Sequence, residues 1–461
     1  MEILARFDKK RSNGEPRVVE HVAVVIPSMK ATLRLSIAIV GLLSRTIKAR
    51  PDIVVNTSIS KIAFGSCHKS KYSTGDIWTS IAASQSQVFL WTGDSVYPPT
   101  RGIATVELLQ NEYNTMLKNA SIGYRQLNPP MGIYGIYDDH DWGGNDVGQG
   151  MPEKMDRKEA FFDFLGYRTR FNDPLHLTLF QRPGAYHSID FGPGDKHLLK
   201  VVFLDTRWFR ENHCVPSLAT SIPLGAGISC IARWLTAGLN LFGTNGICSP
   251  NQSILGKAQW TWLEDELKNS EAQVHIIVSS IQVLTTNPVM ESWGHFPAEK
   301  KRLLNILNGV PGTMLLSGDV HHAELLDLSI PNTDKNHLFE VTSSGLTHDC
   351  TLPIYGGLCE PLLTSFSQHR IAANQYYIGR NFGTVEIDWD TSRVKVNVHN
   401  SSGSEVLTTG WKTNQRDWLT TAELSSVPVV NDGHLRRKVT FSFISVVVTT
   451  FIVMQIFTRK R

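Results

Sequence analysis

Residues 131–141 read Met-Gly-Ile-Tyr-Gly-Ile-Tyr-Asp-Asp-His-Asp, an apolar run that ends abruptly in carboxylates and an imidazole. The apolar part is typical of an inner β-strand that is covered on both faces. Polar side chains directly after such a strand emerge at the carboxyl end of a sheet, where open α/β folds gather their ligands. This stretch therefore predicts an α/β fold with a polar site at one edge of a sheet.

Three further apolar runs end in the same way. They are residues 313–322 (Thr-Met-Leu-Leu-Ser-Gly-Asp-Val-His-His), 87–97 (Gln-Val-Phe-Leu-Trp-Thr-Gly-Asp-Ser-Val-Tyr) and 61–68 (Lys-Ile-Ala-Phe-Gly-Ser-Cys-His). A single Asp or His after a strand is more often a helix cap or a loop residue. Four such clusters favour one shared site, because converging carboxylates and imidazoles would repel one another and lose hydration without a cation. We expect one metal ion or a pair of them.

The clusters resemble, in the same order, the motifs of PhoD-like alkaline phosphatases, a branch of the calcineurin-like metallophosphoesterases. The matching stretches are Gly65-Ser66-Cys67, Gly93-Asp94-x-x-Tyr97, Asp138-Asp139-His140-Asp141, Leu204-Asp205-Thr206-Arg207 and Ser317-Gly318-Asp319-Val320-His321. The wider superfamily has His, Asn and His where this chain has Cys67, Asp139 and Asp319, and these exchanges mark the PhoD-like branch. The resemblance implies a metallophosphoesterase-type α/β/β/α sandwich.

The resemblance also implies a set of metal ligands, with Asp94 bridging two ions and Cys67 and Tyr97 on the more Lewis-acidic one. A thiolate and a phenolate favour ferric iron, and an oxygen-rich remainder suits a harder cation. Members of the family pair iron with calcium, and manganese or zinc would fit the same ligands. The alignment favours Asp139 over Asp138 without deciding between them. The implied ligands are Cys67, Asp94, Tyr97, Asp138, Asp139, Asn145, Asp319 and His321.

The predicted chemistry is hydrolysis of a phosphate ester by a metal-bound hydroxide. His140 is the predicted proton donor to the leaving oxygen, or a hydrogen-bond donor to a phosphoryl oxygen. Arg207 has two interpretations, a bidentate clamp on phosphate or a salt bridge to Asp205 or another nearby carboxylate. The remaining histidines are weaker candidates: His68 and His322 as supporting residues, then His295 and His348, the last with a place in the pocket lining.

Three functions fit these residues. The favoured one is a membrane-anchored phosphomonoesterase, followed by a phosphodiesterase or phospholipase-type hydrolase with the same dinuclear site. A non-catalytic receptor on this fold would have lost ligand residues, and none is lost. A net charge of +3 over 461 residues gives no reason to expect nucleic-acid binding. The 41% hydrophobic content and the alternation of strands and helices predict one α/β domain over residues 58–405.

Apolar residues at helical spacing predict helices at Asp76–Ser84, Thr105–Lys118, Glu153–Leu165, Lys257–Asn269 and Pro297–Leu307. Two alternating stretches, Gly383–Trp389 and Arg393–His399, predict a C-terminal hairpin. Residues 215–249 form a long excursion, interpreted as a cover near the mouth of the site or as a membrane-touching segment.

The two ends of the chain predict targeting. Residues 439–457 carry no charge and lie between basic triplets, which predicts a transmembrane helix after a linker at 406–438 and before a basic tail at 458–461. Within a targeting region at 1–50, the nine apolar residues 35–43 resemble the hydrophobic core of a signal peptide. We expect secretory entry with a lumenal or extracellular catalytic domain. An organelle transit peptide and a tail-anchored, cytosol-facing protein are the alternatives.

The cysteines add little to this choice. Cys67 belongs to the predicted site, which leaves five others. Two disulfides could be drawn among them, although the sequence does not give their pairing. These five are Cys214, Cys230, Cys248, Cys350 and Cys359.

Overall fold

Alternating side chains on the central strands explain how the two sheets of this protein stack. The computed structural model describes residues 51–413 apart from residues 101, 128–130, 173, 194–197, 223–224, 240–251, 329–336 and 356. On the strand Leu199–Leu204, Val201 and Phe203 face one apolar core while Val202 and Leu204 face a second. A strand with both faces buried reads as a continuous apolar run, as the sequence indicated.

The described residues contain fourteen strands in two sheets. They are β1 (Ile53–Val55), β2 (Lys61–Gly65), β3 (Val88–Thr92), β4 (Gly132–Ile136), β5 (His187–Phe191), β6 (Leu199–Leu204), β7 (Val274–Ser279), β8 (Thr313–Ser317), β9 (Ala323–Leu328), β10 (Leu338–Ser343), β11 (Tyr376–Tyr377), β12 (Asn381–Asp388), β13 (Arg393–Asn400) and β14 (Glu405–Lys412). Sheet A has the order β1-β5-β6-β7-β8-β10-β9-β11, and sheet B has the order β14-β13-β12-β2-β3-β4. Both sheets are mixed, with a parallel block at β2-β3-β4 and another at β6-β7-β8-β10.

Helices connect these strands. They are α1 (Asp76–Ala83), α2 (Val106–Lys118), α3 (Asp139–Trp142), α4 (Lys154–Phe164), α5 (Tyr167–Arg170), α6 (Leu177–Gln181), α7 (Gly225–Leu239), α8 (Gly256–Lys268), α9 (Pro297–Leu307) and α10 (Cys359–Thr364). All five helices expected from the spacing of apolar residues are present, with ends that differ by at most one residue from the prediction. Thr105 caps α2, because its side chain accepts a hydrogen bond from the backbone N–H of Leu108.

Helices cover the outer face of each sheet. On sheet B, Trp78 of α1 packs its ring against Phe89 and Trp91, which lie two residues apart on β3 and so share one face. On sheet A, Leu263 of α8 and Leu303 of α9 join the second core. The α/β class is therefore confirmed, and the layers follow the order helix, sheet, sheet, helix.

Four predictions need comment. β14 extends sheet B to Lys412, so the first residues of the predicted 406–438 linker form a strand paired with β13. The 215–249 excursion contains α7, which the sequence analysis did not predict. None of the helices described in the structure is long and apolar enough to cross a membrane. The predicted targeting region at 1–50 and the predicted span at 439–457 lie outside the described residues.

Candidate metal centre

The carboxyl ends of β2, β3 and β4 bring three of the four polar clusters to one edge of sheet B, because these strands run parallel. The fourth cluster follows β8 of sheet A. Gly318 allows the two sheets to meet here, since a Cβ at this position would lie 2.5 Å from both the Ser66 Oγ and the Thr92 carbonyl oxygen. The structure thus brings all four clusters together at one place.

The first group of potential ligands surrounds one oxygen of Asp94. Tyr97 donates its hydroxyl to Asp94 Oδ2 at 2.7 Å, and the Cys67 Sγ lies 3.6 Å from the same oxygen. The Tyr97 hydroxyl is also 3.1 Å from His321 Nε2. Sulfur, phenol, carboxylate and imidazole therefore converge without an intervening apolar side chain. A cation that replaced the protons of these hydrogen bonds would have four donor atoms.

The second group consists of carboxylates alone. Asp94, Asp138, Asp139 and Asp319 each place an oxygen within 4.8 Å of the others. Asp138 Oδ2 and Asp139 Oδ1 are buried and have no hydrogen-bond partner among the described residues. Since a buried carboxylate oxygen normally has a partner, these two oxygens are suited to coordinate a cation. Both aspartates thus retain a free oxygen, and the choice between them stays open.

The pKa values of these aspartates also indicate a cation site. Burial, and then repulsion by the neighbouring carboxylates, raises the pKa of Asp94 and of Asp319 well above its ordinary value. Burial raises the pKa of Asp138 to about 7, although Arg207 opposes this shift. Without a cation, the folded chain therefore disfavours the ionised form of its own site.

Four of the candidate ligands adopt left-handed backbone conformations that non-glycine residues seldom adopt. The φ angles are +60° at Cys67, +49° at Asp94, +73° at Asp319 and +62° at His321. Such conformations cost about 1–3 kcal/mol each and persist where the surrounding structure fixes them, commonly at functional sites. The loops after β2, β3 and β8 are thus held in shapes that serve the site.

His140 and Asn145 line a cavity of about 590 Å³ beside the ligands, together with Thr100, Ala219 and Ile222. The His140 ring lies against the Tyr97 ring, with centroids 4.0 Å apart and the ring planes tilted by 34°. The His140 backbone N–H donates to Asp94 Oδ1 at 3.2 Å. Asn145 donates its amide to Ser217 Oγ at 3.3 Å. The predicted acid therefore lies between the ligand groups and a space large enough for part of a substrate.

The Arg207 side chain forms salt bridges to carboxylates of the protein and is not free to bind phosphate. Its guanidinium lies 2.6 Å from Asp138 Oδ1 and 2.9 Å from Glu291 Oε1, and the side chain is fully buried. Asp205 does not pair with the guanidinium. It accepts the backbone N–H of Arg207 instead. Because both ends of the guanidinium are occupied, Arg207 orients Asp138 in this structure and does not face the cavity. Of the two interpretations that the sequence left open, the structure shows the salt bridge to a nearby carboxylate.

Two supporting residues, Tyr355 and Ser344, had little or no signal in the sequence. Tyr355 bonds through its hydroxyl to His321 Nδ1 and lies 3.0 Å from His348 Nε2, which fixes the orientation of the His321 ring. Ser344 lies 3.1 Å from Cys67 Sγ and accepts the backbone N–H of His321. Tyr355 lies on a loop closed by a Cys350–Cys359 disulfide, one of the pairs that the sequence left undecided. The paired cysteines bracketing Tyr355 were the one sequence signal for this loop.

The other singled-out histidines occupy supporting positions. His348 lies against the Tyr97 ring with centroids 4.9 Å apart, so it borders the site. His68 packs on Trp78, His322 bonds to the Val320 carbonyl, and His295 bonds to the Met290 carbonyl. Asp141 was quoted in the motif without a role. It accepts the backbone N–H groups of Ser95 and Asp138, and so ties the loop after β3 to the loop after β4.

Comparison with known proteins gives one decisive match. The family model described as "PhoD-like phosphatase" matches residues 62–398. The chain belongs to the PhoD-like phosphatase family. This confirms the resemblance drawn from the motifs.

Individual PhoD-like relatives are more distant. Alkaline phosphatase D of Bacillus subtilis (strain 168) is 30% identical over 106 residues, which are 21% of this chain and 17% of that protein. The matched segment thus spans less than a fifth of that relative. A solved structure titled "Structure of PhoD" aligns with a TM-score of 0.51 at 17% identity, covering 86% of this chain and 79% of the other. This likeness supports the shared PhoD fold.

Proposed function

We propose that this protein is a metal-dependent phosphoric ester hydrolase that favours phosphate monoesters. The observation that carries the proposal is the position of Asp94. Its carboxylate belongs both to the group with Cys67 and His321 and to the group with Asp138, Asp139 and Asp319. A carboxylate shared by two ligand groups suits a pair of cations that act together on one phosphoryl group.

The donor chemistry supports different ions in the two groups. Thiolate and phenolate from Cys67 and Tyr97 suit iron, whereas the carboxylates of Asp138, Asp139 and Asp319 suit a harder ion such as calcium. Bound cations would lower the pKa of a coordinated water and neutralise charge on the phosphoryl oxygens. We propose iron with calcium as the resident pair.

The remaining chemistry falls to side chains of the chain itself. His140 is partly exposed beside the cavity, and we assign it the donation of a proton to the leaving oxygen. Arg207 holds Asp138 by an ion pair, and Tyr355 holds His321 by a hydrogen bond. These contacts fix the ligand geometry before substrate arrives, which lowers the reorganisation needed in the transition state.

The cavity of about 590 Å³ beside His140 supports a phosphodiesterase as the second candidate. It has room for a second ester substituent, which a strict monoesterase would exclude. The same ligands serve both reactions. The receptor alternative has less support, since the described site keeps every ligand residue that the motifs require.

We further propose that the catalytic domain lies outside the cytosol and is anchored by the apolar segment 439–457. The disulfide between Cys350 and Cys359 supports this, because disulfides persist mainly in oxidising compartments. A segment of 19 uncharged residues has the length needed to span the hydrocarbon core of a bilayer. Glycosidase sensitivity and protease protection in intact vesicles would test the orientation.

The test of function is hydrolysis of p-nitrophenyl phosphate and bis(p-nitrophenyl) phosphate by the full chain in detergent, from pH 6 to 10. The Asp94→Asn variant should lose more than about 100-fold in kcat/KM, beyond the range for outer-sphere partners. Asp390→Asn, an exposed turn residue, is the matched control and should retain activity. No hydrolysis of either ester by metal-supplemented wild type would contradict the proposal.

A further inference from the structure

Lys69 lies at the metal centre but has no part in its ligand groups. It follows Cys67 by two residues, and its Nζ lies 5.4 Å from the centroid of the Tyr97 ring and 5.7 Å from that of Tyr72. The Tyr97 hydroxyl belongs to the first ligand group, so the ammonium lies one aromatic ring away from it. Burial, and next the positive charge of Lys69, lowers the pKa of His348 to about 3, which places this charge on the His348 side of the site.

Lys69 has neither an anionic partner nor a hydrogen-bond acceptor for its ammonium among the described residues. Lys158 and Lys300 also lack a carboxylate partner, but each donates its ammonium to a backbone carbonyl. Arg207, Arg210 and Lys200 each lie within 4.0 Å of at least one carboxylate. Among the described residues no carboxylate lies within this distance of Lys69 Nζ, although the side chain is half-buried. Partly desolvated ammonium groups are normally paired, because losing hydration without compensation costs free energy. The aromatic faces of Tyr72 and Tyr97 compensate only partly.

The backbone around Lys69 is fixed. Its N–H donates to the Thr347 hydroxyl at 2.7 Å, and the same hydroxyl donates to the Lys69 carbonyl at 3.0 Å. The preceding N–H, of His68, donates to the Asp94 carbonyl at 2.9 Å. The ammonium therefore extends from a rigid loop that is bonded to two other loops of the site, which is the arrangement expected of a preorganised binding group.

We propose that Lys69 binds a phosphoryl oxygen of the substrate and sets a preference for phosphate monoesters over diesters. This inference rests on the proposed function. Above a second pKa of about 6, a phosphate monoester carries close to two negative charges, whereas a diester carries one. A single unpaired ammonium beside the metals interacts more strongly with the dianion, because the Coulomb energy scales with the charge.

The test compares Lys69→Ala, Lys69→Arg and Lys71→Ala with wild type in the full chain. Lys71 is the matched control, since it is exposed and lies 5.9 Å from the Tyr72 ring. Loss of a charge-assisted hydrogen bond predicts that Lys69→Ala lowers kcat/KM for p-nitrophenyl phosphate about 10- to 100-fold. The loss for bis(p-nitrophenyl) phosphate should be smaller than about threefold. Lys69→Arg should recover most of the monoester activity, and Lys71→Ala should match wild type.

A second readout does not depend on turnover. Isothermal titration of inorganic phosphate into the metal-loaded protein at pH 8 should give a Kd at least about tenfold weaker for Lys69→Ala than for Lys71→Ala. Equal losses for monoester and diester, or unchanged phosphate binding by Lys69→Ala, would overturn the inference. If wild type hydrolyses neither ester but Lys69→Ala still weakens phosphate binding, the proposed function fails and Lys69 remains a phosphate-binding residue.

Discussion

Two groups of buried charged side chains adjoin one another and differ in how their charge is balanced. Around Glu291, Arg207 and Arg210 lie 2.9 and 3.2 Å from one carboxylate oxygen, and His213 lies 2.8 Å from it. The carboxylate group of Asp94, Asp138, Asp139 and Asp319 is different. Within the described part of the chain, its only cationic side chain inside 4.0 Å is Arg207, on Asp138.

The pKa values follow this difference. Burial opposes ionisation of Glu291, yet Arg207 and Arg210 hold its pKa well below the ordinary value. For Asp94 and Asp319, burial and neighbouring carboxylates both raise the pKa well above the ordinary value. The cluster around Glu291 supplies its own counter-ions. The carboxylate group with Asp94 and Asp319 keeps an excess of negative charge and therefore needs cations from outside the chain. This excess distinguishes the candidate metal centre from the Glu291 cluster.

The largest effect on stability is expected in the cluster around Glu291, where the charges are paired. Glu291→Gln should lower the free energy of unfolding by about 3–5 kcal/mol, because it leaves two buried guanidinium groups short of a partner. Chemical unfolding followed by tryptophan fluorescence would measure it. Glu264→Gln, which breaks an exposed pair with Arg302, is the control and should cost about 0–1 kcal/mol. Equal costs for the two variants would remove the contrast between the clusters.

Removing a charge from the carboxylate group of Asp94, Asp138, Asp139 and Asp319 should instead stabilise the protein. In the metal-free protein at pH 8, Asp319→Asn should raise the free energy of unfolding by about 1–3 kcal/mol, because it removes a partly buried charge without a cationic partner. The pKa of Asp319 is raised in the folded state, so its ionisation destabilises the fold as pH rises above the ordinary value of 3.8. The advantage of the variant should therefore vanish near pH 4. A variant less stable than wild type at pH 8 would show that the carboxylates are already compensated.

A smaller effect is expected one contact away from the ligands. Tyr355→Phe removes the hydroxyl that bonds His321 and His348 but keeps the ring. Loss of such an outer contact should weaken metal affinity about 10- to 100-fold, measured by competition with a chelator. Tyr376→Phe, whose hydroxyl bonds Glu360 at the surface, is the control. Unchanged metal affinity in Tyr355→Phe would show that the Tyr355 hydroxyl does not contribute to metal binding.

The sequence predicted the α/β fold, and it singled out residues that the structure brings together, because both depend on local patterns. Buried strands such as β3 and β8 are continuous apolar runs, and ligands that follow such strands reach a sheet edge by geometry alone. Cys67, Asp94, Asp319 and His321 were expected to lie together for this reason, and the structure places them in the two ligand groups. Helices α2 and α9 were found because their apolar residues recur at helical spacing.

Contacts between distant segments were harder to predict. The partner of Arg207 was undecided because Asp138 and Glu291 lie 69 and 84 residues away along the chain. Tyr355 was missed because its loop carries no strand pattern and reaches His321 through tertiary packing. Helix α7 was missed because its Gly- and Ala-rich sequence, with three glycines at 225, 227 and 238, lacks the polar face of the other helices.

The most direct test of the central claim is metal analysis by inductively coupled plasma mass spectrometry of the full chain, purified without chelators, alongside Asp94→Asn and Asp390→Asn. The account predicts about two metal ions per chain, iron among them, in wild type and in Asp390→Asn. It predicts fewer than one in Asp94→Asn, because the shared ligand of both groups is weakened. A folded wild type that contains no metal and takes up none on addition of iron and calcium would contradict the account.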